Sequence, residues 1–275
     1  MTLALIDGDI LIYKAACAVE QEFRWPDGVW TYHADENKGI RLVKERLGAI
    51  LEATEARTHL VCFSDAEKNF RKDVYPAYKS NRKDQRKPLI LKALRDYCLL
   101  NMPTIDYPAL EADDVMGILA TSPDIMGEVI IVTIDKDLNQ IPVTIYNPDT
   151  QEFSKPEHRD CDRLVLEQTL TGDTVDGYPG CPGVGPVGAQ EILDNPHTWV
   201  EYEHVFKSGK RKGLVETKWK QGEPCTQWEA IVAAYEKEGL TEADALVQAR
   251  CAYILQATNY NDDGEIKLWE PTNGS

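Results

Sequence analysis

The chain has 275 residues, 43% of them hydrophobic and 28% charged, with a formal net charge of −16. This composition suits a soluble globular protein with a core of its own, and no run approaches the roughly 18 apolar residues of a membrane-crossing helix. The opening MTLALIDGDILIYKAACAV lacks a basic leader and its apolar run is broken by acids and a lysine, which argues against a signal peptide; the seven cysteines (17, 62, 98, 161, 181, 225, 251) form no CxxC and read as reduced thiols of a cytoplasmic protein.

In chain order, three β-rich runs each lead into an acid. Leu3–Ile6 runs into Asp7, His59–Ser64 into Asp65, and Val129–Ile134 into Asp135. Near-continuous apolar runs of this length predict strands buried on both faces, as in a parallel sheet. Helical patterns lie between them, at Ile40–Thr54, Leu89–Leu100 and Glu111–Thr121, so the alternation predicts an α/β fold with a mostly parallel central sheet flanked by helices. Ligands of such sheets sit beyond the carboxyl ends of the strands, so the three acids are expected at one site. Further on, Asp162–Leu170 reads as a helix, a Gly/Pro-rich loop follows at 172–186, and helices are expected at Val187–Leu193, Gln227–Glu238 and Glu242–Gln256, with a short strand at Glu265–Trp269.

An acidic chain is a poor partner for nucleic acid, but here the bases cluster. Residues 68–92 hold nine (Lys68, Arg71, Lys72, Lys79, Arg82, Lys83, Arg86, Lys87, Lys92) against Asp73 and Asp84, a local charge of +7; residues 207–220 hold six against Glu216, or +5. Two solvated loops are the plain reading of such runs, and polyanion binding the functional one.

Beyond Asp7, Asp65 and Asp135, further acids sit in tight groups: Glu111, Asp113 and Asp114 at a helix start, Asp137 two residues after Asp135, and Asp173 and Asp176 in GDxxDG. Carboxylate oxygens are the ligands that Mg²⁺ and Mn²⁺ prefer, and two such ions serve in-line phosphoryl displacement. Each group also has a structural reading, as a helix cap or a turn. Asp9 is left to the turn of DGD.

In this order and spacing, IDGD at 6–9, FSD at 63–65, FR then YPAYKSNR at 70–82, EADDVMG at 111–117, TIDKD at 133–137 and GDTVDGYPGCPGVG at 172–185 resemble the 5′-nuclease (flap endonuclease) superfamily. The C-terminal KSGKRKGLVETKW, QARCAYILQATNYN and KLWEP are similar to the double-strand-dependent 5′→3′ exonucleases of short-tailed T-odd bacteriophages. The resemblance implies a 5′-nuclease/PIN-like nuclease domain with a helical arch over 1–160. It implies a helix–two-turn–helix DNA-binding region over 161–275 that completes the metal site. Two Mg²⁺ or Mn²⁺ ions follow from it. Asp7, Asp65, Glu111, Asp113 and Asp114 build the first site, Asp135 lies between the two, and Asp137, Asp173 and Asp176 support the second. Lys79 and Arg82 are implied as catalytic cations on the scissile phosphate. Arg71, Tyr78, Gly180, Gly183, Gly185, Lys210, Arg211 and Lys212 are implied to contact DNA, and a potassium ion to sit at the glycine loop. Two departures are visible: Val187 stands where the family commonly has lysine, and the arch region between Arg82 and Glu111 is short.

The resulting expectation is a phage 5′→3′ exodeoxyribonuclease acting on duplex 5′ ends, and by resemblance on RNA of RNA–DNA hybrids and on 5′ flaps, in the host cytoplasm. Its rivals are a structure-specific flap endonuclease, a DNA-binding protein on the same fold without catalysis and, more distantly, a metal-dependent phosphatase or ribonuclease on another α/β sheet.

Overall fold

The computed structural model describes residues 2–83, 85–261 and 263–271, so Asp84 of the basic window lies outside the described residues. The first half of the chain forms β1 (Thr2–Asp7), α1 (Gly8–Val19), β2 (Glu20–Arg24), β3 (Trp30–Ala34), α2 (Glu36–Thr54), β4 (Thr58–Cys62), α3 (Arg71–Val74), α4 (Leu91–Asn101), β5 (Thr104–Ile105), α5 (Ala112–Ala120), β6 (Glu128–Val132), β7 (Thr144–Asn147) and β8 (Glu152–Ser154). The second half forms α6 (His158–Thr171), α7 (Pro186–Asp194), β9 (His197–Val205), β10 (Val215–Pro224), α8 (Gln227–Lys237) and α9 (Glu242–Ala252). The chain divides into two compact units.

The first unit comprises Met1–Asp73, Arg82–Cys161 and Ile254–Lys267. Its sheet runs β5-β4-β1-β6-β7-β8, parallel except for β8, which pairs antiparallel with β7. β1 is central because its apolar run has no polar face to give to solvent. Ala4 and Ile6 pack under Leu11, Ile12 and Ala15 of α1, Val43 and Leu47 of α2, and Leu94 of α4. On the opposite face α5 lies against β1, β4 and β6. Each such aliphatic side chain contributes about 1.5–3 kcal/mol on full burial. The mostly parallel sheet flanked by helices agrees with the sequence-based expectation.

The expected strands end earlier than their apolar runs. β4 stops at Cys62 and β6 at Val132, so Asp65 and Asp135 each follow three residues after their strand. The expected helix 242–256 stops at Ala252, because the N–H groups of Ile254 and Leu255 donate to Gln140 and Asp114 side chains rather than back along a helix. The strand expected at Glu265–Trp269 is also corrected. Its pairing is one isolated bridge, Tyr260 to Ile266, in a turn shaped by Asn261 and Gly264. The antiparallel pairs β2–β3 and β9–β10 were not anticipated.

The second unit comprises Val74–Asn81, Asp162–Tyr253 and Leu268–Ser275. Its core joins Leu166 and Leu170 of α6, Ala189 and Leu193 of α7, Trp228, Ile231 and Tyr235 of α8, and Ala245 and Ala249 of α9. Gly172 and Gly180 face each other where a Cβ on either would come within 2.3 Å of the other strand's backbone, so the loop after α6 closes only with glycine at both.

Candidate metal centre

The sheet register places the acids of the first unit. β1 pairs with β4 up to Asp7–Cys62, and with β6 up to Ile6–Val132. Asp7, Asp65 and Asp135 therefore all follow the carboxyl ends of three adjacent parallel strands.

Asp7 ends β1 and caps α1, accepting from the Ile10 N–H at 3.0 Å. Gly8 must follow it, because a Cβ there would meet Cys62 O and the Phe63 ring at 2.7 Å. Thr133 ties this carboxylate to the next: its hydroxyl donates to Asp7 at 3.1 Å and accepts from the Asp135 N–H at 3.0 Å. Asp135 in turn accepts from the Asp137 N–H at 2.9 Å, at the start of a short 3₁₀ turn. Asp7, Thr133, Asp135 and Asp137 thus form one connected row. Burial, reinforced by the charges of Asp9 and Asp135, pushes the Asp7 carboxyl up to about 7.

Asp65 holds its loop through the N–H groups of Ala109 (2.7 Å) and Glu67 (2.8 Å), which draw its carboxyl below the usual range. Ala109 has φ +61°, a strained conformation for alanine that this bond secures. Glu111 caps α5, with Asp113 and Asp114 in its first turn. Burial raises the Cys62 thiol, and the charges of Asp7 and Asp113 add to the shift.

Two residues carry roles different from those implied. Asp114 is fully buried and meets Arg71 in a forked pair, 2.6 and 2.8 Å. Arg71 is itself 3% exposed and reaches Glu111 at 3.2 Å. A guanidinium so enclosed cannot meet a phosphate, and the expectation of a DNA contact at Arg71 is corrected to that of a buried counter-ion for the α5 acids. Sequence reasoning missed Thr133, a β-branched residue two positions before Asp135 whose partner Asp7 lies 126 positions away. It also missed Arg95 of α4, which donates to Ser64 O at 2.7 Å and lies 3.4 Å from Asp9. Arg95 reads in the sequence as an ordinary solvated helix residue, and Asp9 is as structural as its turn suggested, accepting from the Ser64 N–H at 3.0 Å.

The remaining candidates lie in the second unit or on exposed segments. Asp173 folds its own loop, accepting from Val175 and Asp176 N–H groups. Asp176 accepts from the Tyr78 hydroxyl at 2.7 Å and pairs with the Lys79 ammonium at 3.4 Å. Lys79 has φ +53°, and its N–H donates to the Asp176 carbonyl at 2.7 Å, which fixes that backbone. Tyr78, implied by the resemblance to contact DNA, is buried with its ring against Tyr178, 6.3 Å between centroids, and so has a packing role in this structure. The Gly180 N–H is likewise buried and donates to Gln248 Oε1 at 3.0 Å, not to a ligand; Gly183 and Gly185 are exposed, with Gly185 capping α7. Arg82 is exposed, and Lys210, Arg211 and Lys212 are exposed at the turn joining β9 to β10. The one α-helix of the described residues between Arg82 and Glu111 is α4, which is packed in the core through Leu94 and Cys98.

Among the described residues no three His, Cys, Asp or Glu side chains are gathered tightly enough to cage an ion. The donor set nonetheless fits a hard divalent cation: carboxylates beyond the carboxyl ends of neighbouring strands, with that of Asp7 raised first by burial and further by the charges of Asp9 and Asp135.

Comparisons with known proteins agree with this fold. The sequence model of the 5′–3′ exonuclease N-terminal, resolvase-like domain matches residues 2–163. The exonuclease of Escherichia phage T7 is 34% identical over 98% of this chain and 93% of its own length, and the exodeoxyribonuclease of Enterobacteria phage T3 matches to the same extent. Among solved structures, a T5 5′-exonuclease with bound zinc ions superposes with a TM-score of 0.59 at 17% identity, covering 92% of this chain and 93% of that one, which is a likeness of fold. With a family match over more than half of the chain and phage relatives aligned over nearly all of it, the protein belongs to the 5′–3′ exonuclease family.

Proposed function

We propose that this family member is a divalent-metal-dependent exodeoxyribonuclease that hydrolyses duplex DNA from 5′ ends and leaves 5′-phosphates. The observation that carries this reading is the register of β1, β4 and β6, which sets Asp7, Asp65 and Asp135 beyond the carboxyl ends of three adjacent parallel strands. Asp7, Asp65, Glu111, Asp113 and Asp135 would hold a first Mg²⁺ or Mn²⁺, and the resemblance assigns Asp137, Asp173 and Asp176 to a second. Such ions supply an ionised water and neutralise a leaving oxygen.

The protein's own groups have separate duties. Thr133 holds Asp7 and Asp135 in one orientation. Arg71 neutralises Asp114, so that the α5 acids can be crowded together. Lys79 and Arg82, in the segment that the resemblance assigns to an arch, bind the scissile phosphate and offset charge that develops on it. The exposed Gly183–Gly185 loop before α7 offers backbone groups to a potassium ion and to the duplex, in the manner of a helix–two-turn–helix. RNA of hybrids and 5′ flaps are further substrates of the same chemistry, in phage replication or recombination in the host cytoplasm. Among the described residues no helix is long and apolar enough to cross a membrane.

The test is digestion of matched duplexes labelled at the 5′ or the 3′ end, with a flap substrate beside them, in Mg²⁺ and in EDTA. Early release of 5′ label, abolished by EDTA, is expected. Binding without cleavage would favour a non-catalytic DNA-binding protein, and cleavage of the flap alone would favour a structure-specific endonuclease.

A further inference from the structure

The β9–β10 ribbon has two chemically different faces. Its register pairs Val200 with Lys220, Tyr202 with Lys218 and His204 with Glu216. Alternate residues of a strand share a face, so these six lie together. Phe206 continues the row, with ring centroids 6.3 Å apart for Tyr202–His204 and 4.9 Å for His204–Phe206, both edge-on. Cations rest on these rings: Arg211 and Lys218 over Phe206 at 4.3 and 5.1 Å, and Lys220 over Tyr202 at 6.0 Å. Glu216 is the acid of this face, 3.8 Å from Arg211 and 4.0 Å from Lys218. The opposite face carries Trp199, Glu201, Glu203, Val205, Val215, Thr217, Trp219 and Gln221; its two tryptophans line a cavity with Trp228 and Val232 of α8, and the others are exposed. One face therefore carries two acids and no base among its strand residues, and the other is aromatic and basic, in a chain of net charge −16.

We propose that the basic face lies along the sugar–phosphate backbone of duplex DNA, as an arm that holds the substrate without reading its sequence. The inference rests on the DNA-directed activity proposed above and extends it from the ribbon's tip to Tyr202, Lys218 and Lys220. Nine residues of β9 at about 3.3 Å each make a ribbon roughly 30 Å long, the length of about nine base pairs, along which duplex DNA presents a negative charge every ~1.7 Å. Rings beneath the cationic heads restrict their rotamers in advance, so less freedom is lost when phosphate is bound. The face carries no Asn or Gln, the residues that read adenine edges, and contacts made to phosphate alone position a protein without specifying sequence. That suits an enzyme that must advance over any sequence.

The experiment compares two full-length variants matched in net charge. Lys218→Gln with Lys220→Gln removes two cations from the basic face; Thr217→Glu with Gln221→Glu adds two anions to the other. Affinity for a fluorescently labelled duplex is measured by anisotropy in EDTA, across a salt series, with thermal melting as the folding control. The basic-face variant is expected to bind about ten-fold more weakly or worse near 0.1 M salt and to lower the log–log salt slope by nearly two. The matched variant should stay within about two-fold of the unsubstituted protein. Lys220→Glu alone, at a fully open position, gives a second reading should the double variant melt early. Equal losses on both faces would show that only net charge matters and would overturn the proposal, as would an unaffected basic-face variant. If the unsubstituted protein cuts and binds duplex, such a result removes the arm alone; if it does neither, the proposed function goes with it.

Discussion

Replacing Asp7 by asparagine removes a buried charge while keeping its hydrogen bonds. Asp7 is 5% exposed, and its carboxyl is pushed up to about 7, first by burial and then by Asp9 and Asp135. An acid whose folded pKa lies above its unfolded value binds its proton more tightly when folded. The stabilisation from that proton is complete below pH about 4 and is lost as pH rises through about 7. Three units at about 1.36 kcal/mol each make this loss up to about 4 kcal/mol. Asparagine caps helices as well as aspartate does, so the Ile10 N–H keeps its acceptor, and the Thr133 hydroxyl can turn to accept from the new amide. In EDTA, Asp7→Asn should therefore gain stability over the unsubstituted protein as pH rises from about 4 to 7, with a plateau above. Urea unfolding across that range measures the difference directly. Saturating Mg²⁺ should reverse the order by stabilising only the protein that retains the carboxylate. A difference that does not change with pH, or a variant that is the weaker of the two at neutral pH in EDTA, would refute the argument.

Asp135→Ala or Asp137→Ala should abolish cleavage yet leave duplex affinity within a few-fold, because the role proposed for these acids is to hold a cation and not DNA; a gel digestion beside a binding titration checks both. Lys79→Ala is expected to lower kcat by roughly 10²-fold, the scale of one lost electrostatic stabiliser, and a normal kcat would remove Lys79 from the chemistry. Neutralising Lys210, Arg211 and Lys212 together should raise KM and flatten its salt dependence while kcat at saturation changes little. Arg71→Met should cost roughly 3–5 kcal/mol of stability by stranding the Asp114 charge, and adding Asp114→Asn should recover much of it, as read from unfolding curves.

What the sequence disclosed follows how local each feature is. The Leu3–Ile6 run and the Glu111–Asp114 helix start are local patterns, and both appear where expected. β2 and β3 are mostly exposed on both faces, so no alternation of apolar residues announced them. The roles of Arg71 and Thr133 were hidden for a different reason. Arg71 meets Asp114 across 43 positions and Thr133 meets Asp7 across 126, separations that only the tertiary fold closes. Thr133 was visible as a β-branched residue of the apolar run, but its bond to Asp7 depends on β1 and β6 being neighbours.

The same hydrogen bonds resolve the choice between acids as turn formers and acids as ligands. A carboxylate has about four lone-pair sites. Asp114 receives two guanidinium bonds from Arg71 and the N–H groups of Glu111 and Leu255, two donors on each oxygen, which fills it. It is a keystone of the α5 start and has nothing left for an ion. Asp65 receives Glu67, Lys68 and Ala109 N–H groups and retains about one site. Among the described residues Asp7 receives Ile10 and Thr133 alone, one donor on each oxygen, which leaves a lone pair on each oxygen for a cation. Capping and ligation are therefore not alternatives at Asp7. The cap fixes the rotamer, the rotamer aims the remaining lone pairs beyond the strand's carboxyl end, and the helix that follows needs the cap in any case. An acid at a strand end that begins a helix is held in place before any ion arrives.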